Sequence, residues 1–175
     1  MMLSLDETEI FKRHPGMSQG VALAAVEAAS VALARRHLSP TNIDVDDARR
    51  VCKFDLGWPG PSPRDLRAWR DDARATEWGA EAVAILCVDA CRGMVVVERA
   101  MRGSRVDYYV GGPDDGLERA AALEIGGTQS DGVAGLLEEK RRQAAQNPDR
   151  LPALAVAVRF HDPRVMIADA RRERA

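Results

Sequence analysis

The chain has 175 residues, about the size of one ordinary domain, and is 46% hydrophobic and 30% charged, so it carries material for a real core and is not a disordered tail. Its 25 Lys and Arg against 27 Asp and Glu leave a net charge of -2, which excludes a generally basic nucleic-acid coat and leaves room only for a local basic stripe. Three cysteines (Cys52, Cys87 and Cys91), three histidines and no CxxC exclude a complete disulfide framework and argue against structural zinc.

Residues 1–17 read as a loosely ordered arm. A helix is expected over 18–37, with Ser18 as N-cap and Leu23, Val26, Ser30 and Leu33 recurring every three or four residues. Lys12, Arg13 and His14 ahead of the apolar run 21–34 imitate a secretion signal. Glu27 interrupts that run, and no stretch reaches the roughly eighteen apolar residues of a membrane span. The expectation is a cytoplasmic protein that does not enter a membrane. Residues 41–63, with Gly57, Pro59, Gly60, Pro61 and Pro63, read as a connection holding one short strand near 50–56. A long helix follows over 64–91, charged in its first half and apolar in its second. Strands are predicted at 94–100, 106–110 and 120–125, with glycine-containing turns that suit antiparallel hairpins. A helix over 131–146, a strand over 151–160 and a further strand at 165–167 complete the order. Residues 1–63 thus form an arm, a helix and a connection, and 64–175 form a core of mixed α/β class, with helices on a mixed sheet.

Carboxylates stand out on this scaffold. Asp107 falls in the middle of the second strand and Glu124 in the middle of the third, between Leu123 and Ile125, where an unpaired buried charge is costly. Two carboxylates on one side of paired strands make a site for a hard divalent cation, Mg²⁺ or Mn²⁺, which takes one or two carboxylates together with waters and phosphate oxygens. Glu77, in the preceding helix, offers a third carboxylate, and Glu81 lies one turn later on the same face. Lys140 is one of three lysines, with Lys12 and Lys53, in an arginine-rich chain; an ammonium beside a cation site can stabilise charge in phosphoryl transfer. Other features point to no chemistry. Cys87 and Cys91 sit one turn apart as core thiols, and His14, His37 and His161 have no nucleophile in a triad setting. Gly126-Gly127 lacks the Gly-Lys-Ser/Thr of a P-loop. Trp58, Trp69 and Trp78 serve equally well as packing residues or as platforms for bases. A basic stretch with Arg164, Arg171, Arg172 and Arg174 can touch phosphate, offset by Asp162 and Asp169.

The helix–strand–strand–strand–helix–strand order, with Asp on the second strand and Glu on the third, resembles the core of the PD-(D/E)xK nuclease superfamily, the restriction-endonuclease-like fold. The stretches Ala75-Thr-Glu-Trp-Gly-Ala80, Arg105-Val-Asp-Tyr-Tyr-Val-Gly111, Ala122-Leu-Glu-Ile-Gly-Gly127 and Lys140-Arg-Arg-Gln-Ala144 also resemble bacterial proteins in which a TE-x-GA helix, a DYYV or DYWLG strand and an RLEVSG strand recur. The resemblance spans about residues 70–165. It implies a metal-dependent nuclease, a hydrolase of phosphodiester bonds serving bacterial defence or repair, with Glu77, Asp107 and Glu124 as metal-binding carboxylates. The motif's lysine falls at Gly126, which has no side chain. Members of the superfamily sometimes carry that lysine on the following helix, which nominates Lys140, with Gln143 one turn on. The alternative is a catalytically inactive interaction subunit that binds a partner protein or a second copy of itself, using the alanine-rich helix 18–37 as a close-packing face.

Overall fold

Caps and alternation set the elements of the computed structural model, which describes residues 1–48 and 50–170. Arg171, Arg172 and Arg174 of the basic stretch lie outside the described residues. The first 17 residues are ordered into β1 (Met2–Ser4) and α1 (Glu7–Arg13). Asp6 caps α1 by accepting the amides of Thr8 and Glu9 at 2.8 and 3.1 Å. The segment is held by isolated anchors, Leu5, Ile10 and Met17, all buried, which are too sparse to show a period in sequence. The helix α2 (Gln19–Ala34) starts where Ser18 accepts the Val21 amide.

Residues 41–57, read as mostly connection, form a full antiparallel hairpin of β2 (Thr41–Asp47) and β3 (Arg50–Gly57). The strand β2 is hard to see in sequence because acidic residues alternate with its apolar ones. Ile43 and Val45 are buried, while Asp44 and Asp46 pair outward with Lys53 at 3.5 Å and Arg164 at 2.9 Å. The long helix expected over 64–91 is two helices, α3 (Pro63–Ala68) and α4 (Asp72–Arg92). Two caps impose the break. Ser62 and Asp65 close a capping box on α3, and Asp71 accepts the Arg74 amide to start α4. Gly93, at φ 64, closes α4.

A meander of β4 (Val95–Arg99), β5 (Tyr108–Gly111) and β6 (Ala121–Thr128) follows, antiparallel throughout. The helix α5 (Val133–Ala144) carries the chain over to β7 (Ala153–Arg159), parallel to β6, and β8 (Arg164–Ala170) turns back antiparallel to β7. The eight strands of the described residues join one sheet in the order β1-β3-β2-β8-β7-β6-β5-β4, in which β2 meets β8 in parallel. The fold is mixed α/β, with an eight-stranded mixed sheet and five helices among the described residues. No helix among the described residues is long and apolar enough to cross a membrane.

Alternation along β6 directs chemistry to one face. Leu123 and Ile125 enter the main core with α2 and α4, whereas Glu124 and Gly126 turn to α5, whose Leu137 packs on Ala155 and Ala157 of β7. The helix α4 lies against backbone on two sides. A Cβ at Gly79 would stand 2.8 Å from Ala29 Cα and N of α2, and one at Gly127 would stand 2.5 Å from the Thr76 carbonyl oxygen. At its far end Arg92 is buried and donates to both oxygens of buried Asp47 at 2.6 Å and to Asp169 at 3.1 Å, linking α4 to β2 and β8.

Because Ala29 backbone fills the space at Gly79, Gly79→Ala should destabilise by about 1–3 kcal/mol, even though alanine is the better helix former. Gly20→Ala in α2, where the new methyl group meets nothing within 4 Å, should leave stability unchanged or raise it by up to about 1 kcal/mol. Urea unfolding of both variants checks the pair; equal behaviour would mean that the α2–α4 contact is not closely packed.

Candidate active site

The register of β5 on β6 pairs Tyr108 with Leu123 and Tyr109 with Ala122, so one step further places Asp107 opposite Glu124. Sequence put Asp107 in mid-strand; it stands one residue ahead of β5. Its N–H donates to the Leu123 carbonyl and its own carbonyl accepts the Ala100 amide, both at 2.9 Å. Its side chain is aimed by the Ile125 amide, which donates to Asp107 Oδ2 at 2.8 Å. Glu124 is in the middle of β6, with a side chain only 3% exposed. The two carboxyl groups face each other across the strand pair, where like charges repel, an arrangement that a shared proton or a cation relieves.

Lys140, on the inner face of α5, supplies a cation from the side. Its Nζ is 2.8 Å from Glu124 Oε1 and also donates to Gln143 Oε1 at 3.4 Å. The path it takes is set by Gly126: a Cβ there would lie 2.8 Å from Lys140 Cε and 3.1 Å from Leu136 Cδ1. The stem of the helix lysine thus occupies the room that a side chain on the strand would have used.

Electrostatics follow from this crowding. Burial raises the pKa of Asp107, opposed by the Ile125 hydrogen bond and the Lys140 charge. Burial and then the Asp107 charge push Glu124 up to about 7, against the pull of Lys140. Burial works against the Lys140 ammonium, yet the hydrogen bond and charge of Glu124 outweigh it and hold its pKa above the usual lysine value.

Glu77 does not join this group directly. It is exposed on α4, and the carboxylate that turns inward is Glu81, which accepts the Tyr108 hydroxyl and stands 4.0 Å from Arg99. Burial raises the Glu81 pKa, and the charges of Asp107 and Glu77 add to it. Arg99 is the residue that sequence reasoning missed. It ends the edge strand β4, pairs in register with Tyr108, and its charge offsets burial at both Asp107 and Glu81. Nothing in its local sequence marks it; only the β4–β5 register could have found it. Among the described residues no group of three or more His, Cys, Asp or Glu is arranged to hold a metal ion. The donor set at this point is a carboxylate pair, of the hard-oxygen kind that suits Mg²⁺ or Mn²⁺ when waters and phosphate oxygens complete the shell.

Fold and site together define a mixed α/β protein with a buried carboxylate, Glu124, a half-buried one, Asp107, opposite it, and a lysine at one strand crossing. Comparison of the chain with protein-family models, with curated proteins and with solved structures finds no match. The site's own geometry therefore carries the functional argument.

The raised Glu124 pKa has a definite sign in stability. Folding favours the protonated carboxyl, so this contribution is complete below about pH 4.5 and is lost as pH climbs through about 7. Asp107 acts in the same sense, and Lys140 is the counter-charge. Glu124→Gln should flatten the fall in stability across that window, read from urea midpoints at a series of pH values. Parallel curves for wild type and variant would show that Glu124 titrates normally.

Proposed function

We propose that the protein is a metal-dependent, nuclease-like phosphodiesterase with a restriction-endonuclease-like core formed by α4, β4, β5, β6, α5 and β7. The observation that carries this reading is the meeting of Asp107, Glu124 and Lys140, with the lysine stem lying over Gly126. A purely structural role fits this pair poorly, because once Glu124 ionises beside Asp107 a single ammonium leaves negative charge uncompensated. A divalent cation resolves the conflict. Asp107 and Glu124 would hold Mg²⁺ or Mn²⁺, which supplies Lewis-acid polarisation of the phosphate and lowers the pKa of water.

The chain's own groups have separate tasks in this proposal. The Ile125 amide holds the Asp107 carboxylate in place. Lys140 Nζ, 18% exposed in its side chain, is open enough to meet a phosphate oxygen and stabilise the negative charge that grows on it. Gln143 holds that ammonium from one turn further along α5. Glu77, exposed one turn before Glu81, is left the outer role of a carboxylate near the approaching water. Substrates are phosphodiester bonds of nucleic acid, and defence or repair in a bacterium is the role that the superfamily resemblance suggests. The competing idea, an inactive interaction subunit, drew on the small residues of α2. Ala22, Ala25, Ala28, Ala29 and Ala32 are fully buried, and Gly79 of α4 approaches Ala28 and Ala29 within the same chain. The small face serves the protein's own core.

Asp107→Ala and Glu124→Ala should each abolish Mg²⁺-dependent cleavage of oligonucleotides with the fold retained, and the double variant should lose the metal binding seen by calorimetry. Retained activity in both single variants, or no metal binding by the wild type even with an oligonucleotide present, would overturn the proposal. Lys140→Ala should slow cleavage by about 10²–10³ with metal affinity little changed. Moving the lysine back to the strand, as Gly126→Lys with Lys140→Ala, should recover much of that loss, because removal of the Lys140 stem takes away the 2.8 Å contact and leaves the Leu136 side chain, at 3.1 Å, to shift by a few tenths of an ångström. Failure of the double variant to exceed Lys140→Ala would remove the lysine from the chemistry.

A further inference from the structure

Beside the carboxylate pair, on the α4 side of the same strands, lies an aromatic and cationic surface that the proposed hydrolysis does not use. Trp69, in the link between α3 and α4, meets Trp78 of α4 with ring centroids 5.9 Å apart and planes tilted by 50°. The Arg99 guanidinium lies 5.7 Å from the Trp78 centroid and 5.8 Å from that of Tyr108. Both indoles are half-buried, so part of each ring faces water. Tyr108 is fully buried and acts as the floor. The Arg99 side chain is 47% exposed; Glu81, at 4.0 Å, makes a loose pair with it, and the Arg99 charge also reaches Asp107.

The surroundings carry both signs: Asp71, Asp72 and Glu77 share the stretch with two arginines, and the Trp69 indole N–H donates to Glu27 at 3.3 Å. Arg70 follows Trp69 directly, and Arg74 precedes Trp78 by one helical turn on the same side of α4. Both are exposed, and among the described residues neither side chain pairs with a carboxylate. The row also runs into the site: Arg99 is opposite Tyr108 in the β4–β5 register, and the next residue, Ala100, donates its amide to the Asp107 carbonyl. Indoles with interleaved arginines are the chemistry that holds a single strand, through stacking on bases and charge on phosphates.

We propose that Trp69, Trp78 and Arg99, with Arg70 and Arg74, form a platform for an unpaired nucleic-acid strand, taking a base on the indoles and its phosphate on Arg99, and leading that strand to Asp107 and Glu124. This rests on the phosphodiesterase reading for its direction but not for its binding chemistry. A duplex, whose bases are stacked inside, offers the indoles nothing.

Binding of a fluorescent oligothymidylate and of an oligouridylate, followed by anisotropy in EDTA so that no cleavage occurs, tests it. The wild type should bind the single strand better than a duplex of equal length. Trp78→Ala should weaken single-strand binding by about tenfold or more while leaving an abasic strand nearly unaffected, and Trp78→Phe, which keeps a stacking ring, should retain most of it. Arg99→Gln should weaken base-bearing and abasic strands alike and lower the salt slope by about one. Circular dichroism confirms the fold of each variant. Wild-type binding that favours the duplex, no binding at all, or unchanged affinity in both Trp78→Ala and Arg99→Gln overturns the platform. Metal-dependent cleavage that still depends on Asp107 would then leave the phosphodiesterase reading intact. Conversely, strand binding that depends on Trp78 in a protein with no metal-dependent cleavage would sink the hydrolysis and keep the platform.

Discussion

Helix α4 is held at backbone distance on two sides, and the rest of the molecule is arranged by that constraint. On one side Gly79 lets α2 approach until Ala29 backbone occupies the place of a side chain; on the other, Gly127 of β6 sits under the Thr76 carbonyl. Such contacts leave no slack, because a packed interior responds to even one added methyl group. The helix therefore has one position relative to the strand that bears Glu124. Trp78, between these two close contacts, and Glu81, between them and the C-terminal Arg92–Asp47 pair, inherit that position.

The second organising feature is a disagreement between charge and burial. Glu124 is nearly without solvent, has Asp107 beside it, and is answered by one ammonium. A protein that needed this position only for packing would gain by placing a leucine there. The sequence spends its strand glycine, Gly126, on admitting Lys140 from the helix above. Helix-borne and strand-borne lysines reach the same point by different routes, and the helix-borne one has a partner in Gln143 to steady it.

The sequence makes the C-terminal half legible and the N-terminal half much less so, for physical reasons that differ by element. The strands β4, β6 and β7 are dense in Val, Ala and Leu and are bounded by turns or helices, so their position follows from apolar runs. In β2 the buried partner of a charge is itself a charge: Asp47 is buried on Arg92, and a residue that reads as polar behaves as core. The α3–α4 break was hidden because Asp65 and Asp71 look like surface charge when they are caps. At the site, Asp107, Glu124 and Lys140 stand out because a carboxylate in an apolar strand and a rare lysine are conspicuous in one dimension, whereas Gln143 follows only from the superfamily resemblance. Which of Glu77 and Glu81 turns inward depends on the rotation of α4, and the place of Arg99 depends on strand register across the 100–107 loop. Neither quantity is local.

The place of β8 in the sheet bears on how the molecule comes to be assembled. The hairpin β2–β3 and the short β1 carry their own local pairing, but the inner edge of β2 is completed only by β8, more than a hundred residues later in the chain. Contacts of such separation are late and slow to form, because a long loop must close before any of them is rewarded. On a ribosome the early hairpin would wait with Asn42, Asp44 and Asp46 exposing an unpaired edge, guarded by acidic side chains that discourage the same edge from pairing with another nascent chain. The acids that disguised β2 in the sequence would then act as its protection until Arg164 arrives to neutralise Asp46 and close the sheet.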